Sequence, residues 1–228
     1  MDRIIVYSVN VNGYDEVKTP RDYDPNVKYI LFTDDESIKS DVWEVKSVDF
    51  LKNIKDLRKK ARYVKTNPHL ILPDHDINIW VDSCFEPRFT DTKKMLEDIG
   101  MNENNMMAYK HPERNCIFDE ANAVIYWERD TIATVSNQMK RYYDMGFQKN
   151  YGLYETGFLI RKNNNKVKNF NETWWTEIKN NSGRDQLSHM FACWYSDVDT
   201  KPIEIGTNMD NNDFLHKRVQ HKKLFQTK

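Results

Sequence analysis

Cysteine is scarce, and glycine and proline are few: three, seven and seven among 228 residues. Cys84, Cys116 and Cys193 are odd in number, far apart and in no Cys-x-x-Cys pair. That excludes a disulfide framework and a cysteine-built zinc site, and it points to a reducing compartment. No apolar run approaches the roughly 20 residues that cross a bilayer, so no membrane span is expected. Lysine plus arginine number 34 and aspartate plus glutamate 35, a net charge of −1. Without an excess of one sign there is no long-range field to gather nucleic acid or an anionic membrane. A Walker-type glycine loop, a Gly-x-Ser-x-Gly elbow and a His-Glu-x-x-His pair are also missing, so ATPase, serine hydrolase and zincin chemistry lack their parts. No internal repeat or low-complexity linker interrupts the chain, and residues 1–228 read as one domain. The first residues run straight into a strand pattern instead of a leader peptide, so a cytoplasmic protein is expected.

What is present is an alternation of strands and helices. Ile4 to Val9 is an almost wholly apolar run feeding the loop Asn10-Val11-Asn12-Gly13, and Lys28 to Thr33 is a second run ending at Asp34. Trp43 to Val48 alternates as a strand near a sheet edge does, and Ile77 to Val81 ends at Asp82. Apolar spacing predicts helices over 51–72, 92–99, 119–143, 174–178 and 184–195, a polar turn over 163–168, and further strands over 106–109 and 157–161. The expected fold is α/β, a mostly parallel central sheet flanked by helices.

In open α/β sheets, ligands bind outside the carboxyl ends of the strands. That rule gathers Asn10 to Tyr14, Asp34 and Asp82 to Cys84 on one edge. Arg58, Arg62 and Lys65 share one helical face; they are either a solvated basic surface or cations for a phosphate in the same crevice. Asp82, an acid at a strand end followed by small polar residues, suits a divalent cation that neutralises a diphosphate leaving group. Arg184-Asp185-Gln186 begins a helix, where Asp185 has the position of an N-terminal cap. His111, Glu113 and Arg114 either brace a loop or face the crevice. The Trp174-Trp175 and Trp194-Tyr195 pairs read as core before sugar platforms, and Cys116 and Cys193 as buried thiols.

The basic helix, the Leu-Pro-Asp turn and the apolar strand ending in Asp82 resemble glycogenin-type nucleotide-sugar transferases of the GT-A fold. A closer resemblance covers nearly the whole chain. Asn12-Gly13-Tyr14-Asp15, Phe32-Thr33-Asp34, Arg58 to Lys65, Asn67-Pro68-His69, Ile79 to Asp82, His111 to Arg114, Tyr154 to Gly157 and Arg184 to Ser188 are similar to the glycosyltransferase-like domain of plant pollen-tube and seed-mucilage proteins. The chain is also similar to sugar-transferase domains of large algal viruses that build capsid glycans, which would place it in a host cytoplasm.

The resemblance implies a GT-A, Rossmann-like transferase that moves a sugar from a UDP-sugar donor to a carbohydrate or glycoprotein acceptor. It implies that Asp34, with the backbone at Val9, Asn10 and Val11, borders the nucleobase, and that Arg62, with Arg58 and Lys65, holds the ribose or diphosphate. Asp82, beside Ser83, takes the first position of the metal-binding Asp-x-Asp motif, and Cys84 stands where the second acid belongs. A hard cation prefers oxygen, so manganese is expected before magnesium. A histidine from the C-terminal region, His221 before His216, would complete the metal site as a polar tail, residues 208–228, closes over the donor. Asp185 would bind donor hydroxyls or act as base, Gln186 would lie near the anomeric carbon, and Glu155 competes as the group that takes the acceptor proton. Cys84 also leaves open a binding module of the same fold without transfer. A metal-dependent hydrolase is the least supported reading, because no second metal cluster can be assembled. The chain could also belong to a longer polypeptide.

Overall fold

The computed structural model describes residues 3–16 and 19–216. Seven strands form the main sheet: β1 (Ile4–Asn10), β2 (Lys28–Thr33), β3 (Trp43–Ser47), β4 (Ile77–Val81), β6 (Met106–Lys110), β7 (Tyr154–Lys162) and β8 (Lys201–Pro202). Two short strands, β5 (Glu86–Pro87) and β9 (Leu215–His216), pair separately and antiparallel. The helices are α1 (Leu57–Thr66), α2 (Pro68–Ile71), α3 (Thr92–Asp98), α4 (Ile117–Tyr126), α5 (Ile132–Asp144), α6 (Asn165–Asn180) and α7 (Gln186–Tyr195).

The main sheet runs β3-β2-β1-β4-β7-β6-β8. β7 pairs antiparallel with both neighbours, and every other pairing is parallel. Six strands therefore point one way and β7 alone points back, which makes the expected mostly parallel sheet. The reversal also sets the site: it brings the first residues of β7 to the edge where β1 and β4 end. There the Asp82 amide donates to the Gly157 carbonyl at 2.8 Å.

β1, β2 and β4 are buried nearly throughout, as strands covered on both faces must be. Side chains alternate between two apolar cores. Tyr7, Trp80 and Leu159 pack with Phe170, Trp174 and Phe191 on the face of α1 and α4 to α7. Val6, Ile79 and Ile160 pack with Met95, Leu96 and Phe158 on the other. Trp174 thus belongs to the core, Trp175 and Trp194 pack against it half-buried, and Cys116 and Cys193 are buried thiols.

Helix boundaries differ from the periodicity reading, and each difference has a local cause. The predicted helix over 51–72 is a 3-10 turn (Asp49–Leu51), a loop, then α1 and α2. Asp56 caps α1 by accepting from the Lys59 amide at 3.0 Å, and Pro68, which has no amide to donate, restarts the chain as α2. The predicted helix over 119–143 is cut after Tyr126. Glu128 turns left-handed at φ 51°, and the Arg129 amide closes onto the Val124 carbonyl at 2.9 Å. Thr131 then caps α5. α6 starts within the predicted polar turn because Asn164 accepts from the Val167 amide at 3.0 Å.

Candidate active site

A cleft of about 600 Å³ opens at the carboxyl ends of β1 and β4. Its floor and one side come from Val9 to Val11, Asp82 to Phe85 and Glu155 to Gly157; the other side comes from Arg58, Arg62, Arg129 and Arg184 to Gln186. Met209 and Asp210 reach over it from the C-terminal segment.

The helical face of Arg58, Arg62 and Lys65 turns inward, so the solvated-surface reading does not hold. Lys65 is wholly buried, 2.5 Å from Asp185 and 3.5 Å from Asp82. Arg62 lies 3.1 Å from the other Asp185 oxygen. Thr156 donates its hydroxyl to Asp185 at 2.9 Å. Asp185 occupies the N-cap position of α7 without capping it, because its carboxylate is committed to these neighbours. Burial alone would raise its pKa, but Arg62, Lys65 and Arg184 hold it far below the ordinary carboxylate range. Such a group is a fixed anion and a poor proton acceptor.

Glu155 sits on the other side, half-buried, and accepts the Met209 amide at 2.9 Å. Asp82 accepts from the Trp80 indole at 2.7 Å. Gly157 lies between them: a Cβ there would stand 3.0 Å from Asp82 Oδ2 and inside Met209 Cε. Gln186 donates to the Tyr154 carbonyl at 3.3 Å. The Asn10 amide closes the loop after β1 by donating to the Asp15 carbonyl at 2.9 Å and accepting from the Asp15 amide at 3.2 Å.

Charges of both signs line the cleft. Arg58 donates to the Arg129 carbonyl at 3.2 Å, tying the start of α1 to the turn between α4 and α5. Burial, together with the positive charges of Arg62, Arg129 and Arg58, pushes the Arg184 guanidinium down to about 10 despite Asp185. Asp82, Glu155 and Asp210 gather around Gly157 and Met209, and the Asp82 charge also reaches Arg62.

Asp34 is placed apart. It accepts the Asn12 amide at 2.8 Å and opens on a separate depression with Asn12, Gly13, Asp35 and Glu36. His111 lines the cleft but also braces its loop: the Glu113 and Arg114 amides each approach its Nδ1 at 3.2 Å, and Arg114 pairs with Glu120 at 2.8 Å. Trp127, Glu128, Arg129 and Met209 line the cleft without having been singled out from the sequence.

The divalent cation implied at Asp82 would find few oxygen ligands among the described residues. One Asp82 oxygen already serves Trp80 and stands near the Lys65 ammonium, the Ser83 hydroxyl donates to Asp15 at 2.5 Å, and Cys84 is a buried thiol in an apolar cluster. Among the described residues no three His, Cys, Asp or Glu side chains gather into a cluster that could hold a cation by itself. His221 lies outside the described residues, and so does the tail beyond His216.

Fold and cleft together define an α/β protein with a mostly parallel sheet and a charged cleft at its carboxyl edge. Residues 1–221 match the TOD1/MUCI70, glycosyltransferase-like domain, and the chain belongs to that family. No curated protein matches it. Membership carries a glycosyltransferase-like function and sugar-related substrates. No helix among the described residues is long and apolar enough to cross a membrane.

Proposed function

We propose that the protein transfers a sugar from a nucleoside diphosphate-sugar, UDP-linked by the resemblance, to a hydroxyl of a carbohydrate or glycoprotein acceptor. The observation that carries this reading is the lining of the cleft: four arginines, Arg58, Arg62, Arg129 and Arg184, together with the carboxylates Asp82 and Glu155. A nucleotide-sugar has the matching polarity, a dianionic diphosphate joined to a ring of hydroxyl donors. In the reaction the bond between the anomeric carbon and the phosphate oxygen breaks and the nucleotide leaves with the electron pair. The acceptor oxygen bonds to that carbon and gives its proton to a carboxylate. Glu155 suits that step, since Asp185 is held as an anion by its cations. Asp185 instead keeps Arg62 at the cleft, with Lys65 buried beneath, and Asp82 faces the sugar. Guanidinium groups where the negative charge of the leaving group develops stabilise the transition state.

A binding module without transfer is favoured by one observation, the commitment of Asp185 to Arg62 and Lys65. Incubation with a panel of UDP-sugars and oligosaccharide acceptors, read as released UDP, separates the two. Acceptor-dependent release that disappears in Asp82→Ala, with the fold intact by circular dichroism, is the expected result. Donor binding without release selects the binding module, and no binding of any nucleotide-sugar overturns both.

A further inference from the structure

We propose that Arg58, Arg129 and Arg184, with Arg62 behind them, bind the substrate diphosphate directly, and that this binding needs no divalent cation. The inference rests on the reading of the cleft as a nucleoside diphosphate-sugar site, and it concerns what balances the charge there.

Metal-assisted binding of a diphosphate requires carboxylates that hold the ion while the phosphates complete its shell. At Asp82 that position is compromised by chemistry already present. The Trp80 indole donates to one carboxylate oxygen, and the Lys65 ammonium, wholly buried, lies 3.5 Å from the same atom. A buried ammonium beneath the cleft thus already offsets part of the Asp82 charge and would repel a divalent cation bound to the same carboxylate. The next two side chains cannot compensate, because the Ser83 hydroxyl is engaged with Asp15 and Cys84 offers sulfur, a poor match for a hard cation.

The opposite side supplies positive charge in another form. Four guanidinium groups from three separate segments converge there: α1, the turn between α4 and α5, and the start of α7. The convergence is built. Arg58 is fastened to the Arg129 carbonyl at 3.2 Å, and its stem lies along Gly183, where a Cβ would come within 3.1 Å of Arg58 Cδ. A side chain at 183 would push the guanidinium away. Within the group, Asp185 pairs with Arg62 and Lys65. Like charges held this close destabilise one another, and a dianion among them removes that penalty. Guanidinium forks also match phosphate oxygens in geometry, which an ammonium does not.

The test is isothermal titration calorimetry of the full chain with UDP and, separately, with inorganic pyrophosphate, first in EDTA and then in manganese or magnesium chloride. The expected result is UDP binding in EDTA with a Kd within about threefold of that in either metal. Each of Arg129→Gln and Arg58→Gln is expected to weaken it about tenfold or more, the usual scale for a lost charge-assisted hydrogen bond. Arg129 is exposed, so that variant is expected to melt like the parent, and a loss of binding in it reports the site and not the fold. UDP binding that appears only with added metal, or binding in EDTA that survives both substitutions, overturns the inference while leaving the transferase reading standing. No binding of UDP in any of the buffers overturns both.

Discussion

The Lys65 ammonium lies 2.5 Å from the Asp185 carboxylate, with the lysine side chain wholly out of water and the aspartate 6% exposed. Lys65 is the penultimate residue of α1 and Asp185 stands immediately before α7, so this contact joins two helices beneath the cleft. The lysine is also wedged between aromatic faces, 5.4 Å from the Trp80 ring and 5.9 Å from the Trp174 ring. Its own carbonyl accepts from Tyr7 at 2.8 Å and from the buried Arg161 at 2.8 Å. Backbone and side chain of one residue are therefore both fixed, and the cationic side of the cleft is set by that anchorage.

Removing the carboxylate leaves buried cations facing one another. Asp185→Asn is expected to lower unfolding stability by about 3 kcal/mol or more, the scale of a broken buried ion pair. Urea denaturation measures it. The double variant Lys65→Met with Asp185→Asn should recover part of the loss, because no ammonium then remains stranded; a double variant as unstable as the two single losses added together would show that the pair does not act as a unit.

Much of this could be read in the sequence. The strand runs ending at Asn10, Thr33 and Val81 locate the carboxyl edge, and the three- and four-residue spacing of Arg58, Arg62 and Lys65 puts cations on one helical face. Burial of that face was not legible, because periodicity shows which residues stay together and not what covers them. Asp185 shows the same limit. Its position before α7 signals a cap, yet three-dimensional neighbours from α1 and β7 claim the carboxylate. Glu155 and Gly157 reach the cleft only because β7 runs backwards, a pairing choice that depends on neighbours distant in the chain. Arg129 and Trp127 enter through a turn made by a non-glycine residue at positive φ, for which the sequence holds no glycine signal.

His189 gives the protein an acid-sensitive limb. Its ring is packed against Trp174 at 4.9 Å and Phe170 at 5.3 Å, and one nitrogen meets the Thr200 hydroxyl at 2.9 Å. Burial first, then the charges of Lys65 and Arg161, push its pKa down from 6.5 to about 3. The unfolded chain takes up a proton below 6.5 that the folded chain refuses, so the stability is complete above that pH and is lost as the pH falls toward 3. The slope approaches roughly 1.4 kcal/mol per pH unit. His69, His75 and His111 are also lowered by burial and add to it. Denaturation curves between pH 7 and 4 should show a shallower decline in His189→Gln than in the parent, and parallel curves would remove His189 from the account.

Gly157 is kept small by what crosses above it. A methyl group there would drive against Met209 Cε, which can swing aside, and against Asp82 Oδ2 at 3.0 Å, whose carboxylate is tied to Trp80 through its other oxygen. Gly157→Ala is expected to cost about 1 to 3 kcal/mol of stability through overpacking. The loss in UDP release should be larger in proportion, on the order of tenfold to a hundredfold, because a shifted carboxylate misplaces the sugar. Thermal melts and initial rates on the same preparation decide it. A melting loss with unchanged rates would separate Asp82 from turnover.

Glu155 and Asp185 make opposite predictions for the acceptor proton. Glu155 is half-buried at the cleft and accepts the Met209 amide at 2.9 Å. Asp185 is surrounded by Arg62, Lys65 and Thr156. If the proton passes to Glu155, Glu155→Gln keeps the shape and the amide contact, holds the donor as before, and lowers kcat by about a hundredfold or more, the usual contribution of a general base. Asp185→Asn should instead weaken donor binding, since Arg62 loses the anion that aims it. Stopped assays giving kcat and KM for both variants, with calorimetry for UDP, distinguish the roles. A normal kcat in Glu155→Gln, with the collapse in Asp185→Asn confined to kcat, would move the base to Asp185 and require its cations to withdraw when substrate enters.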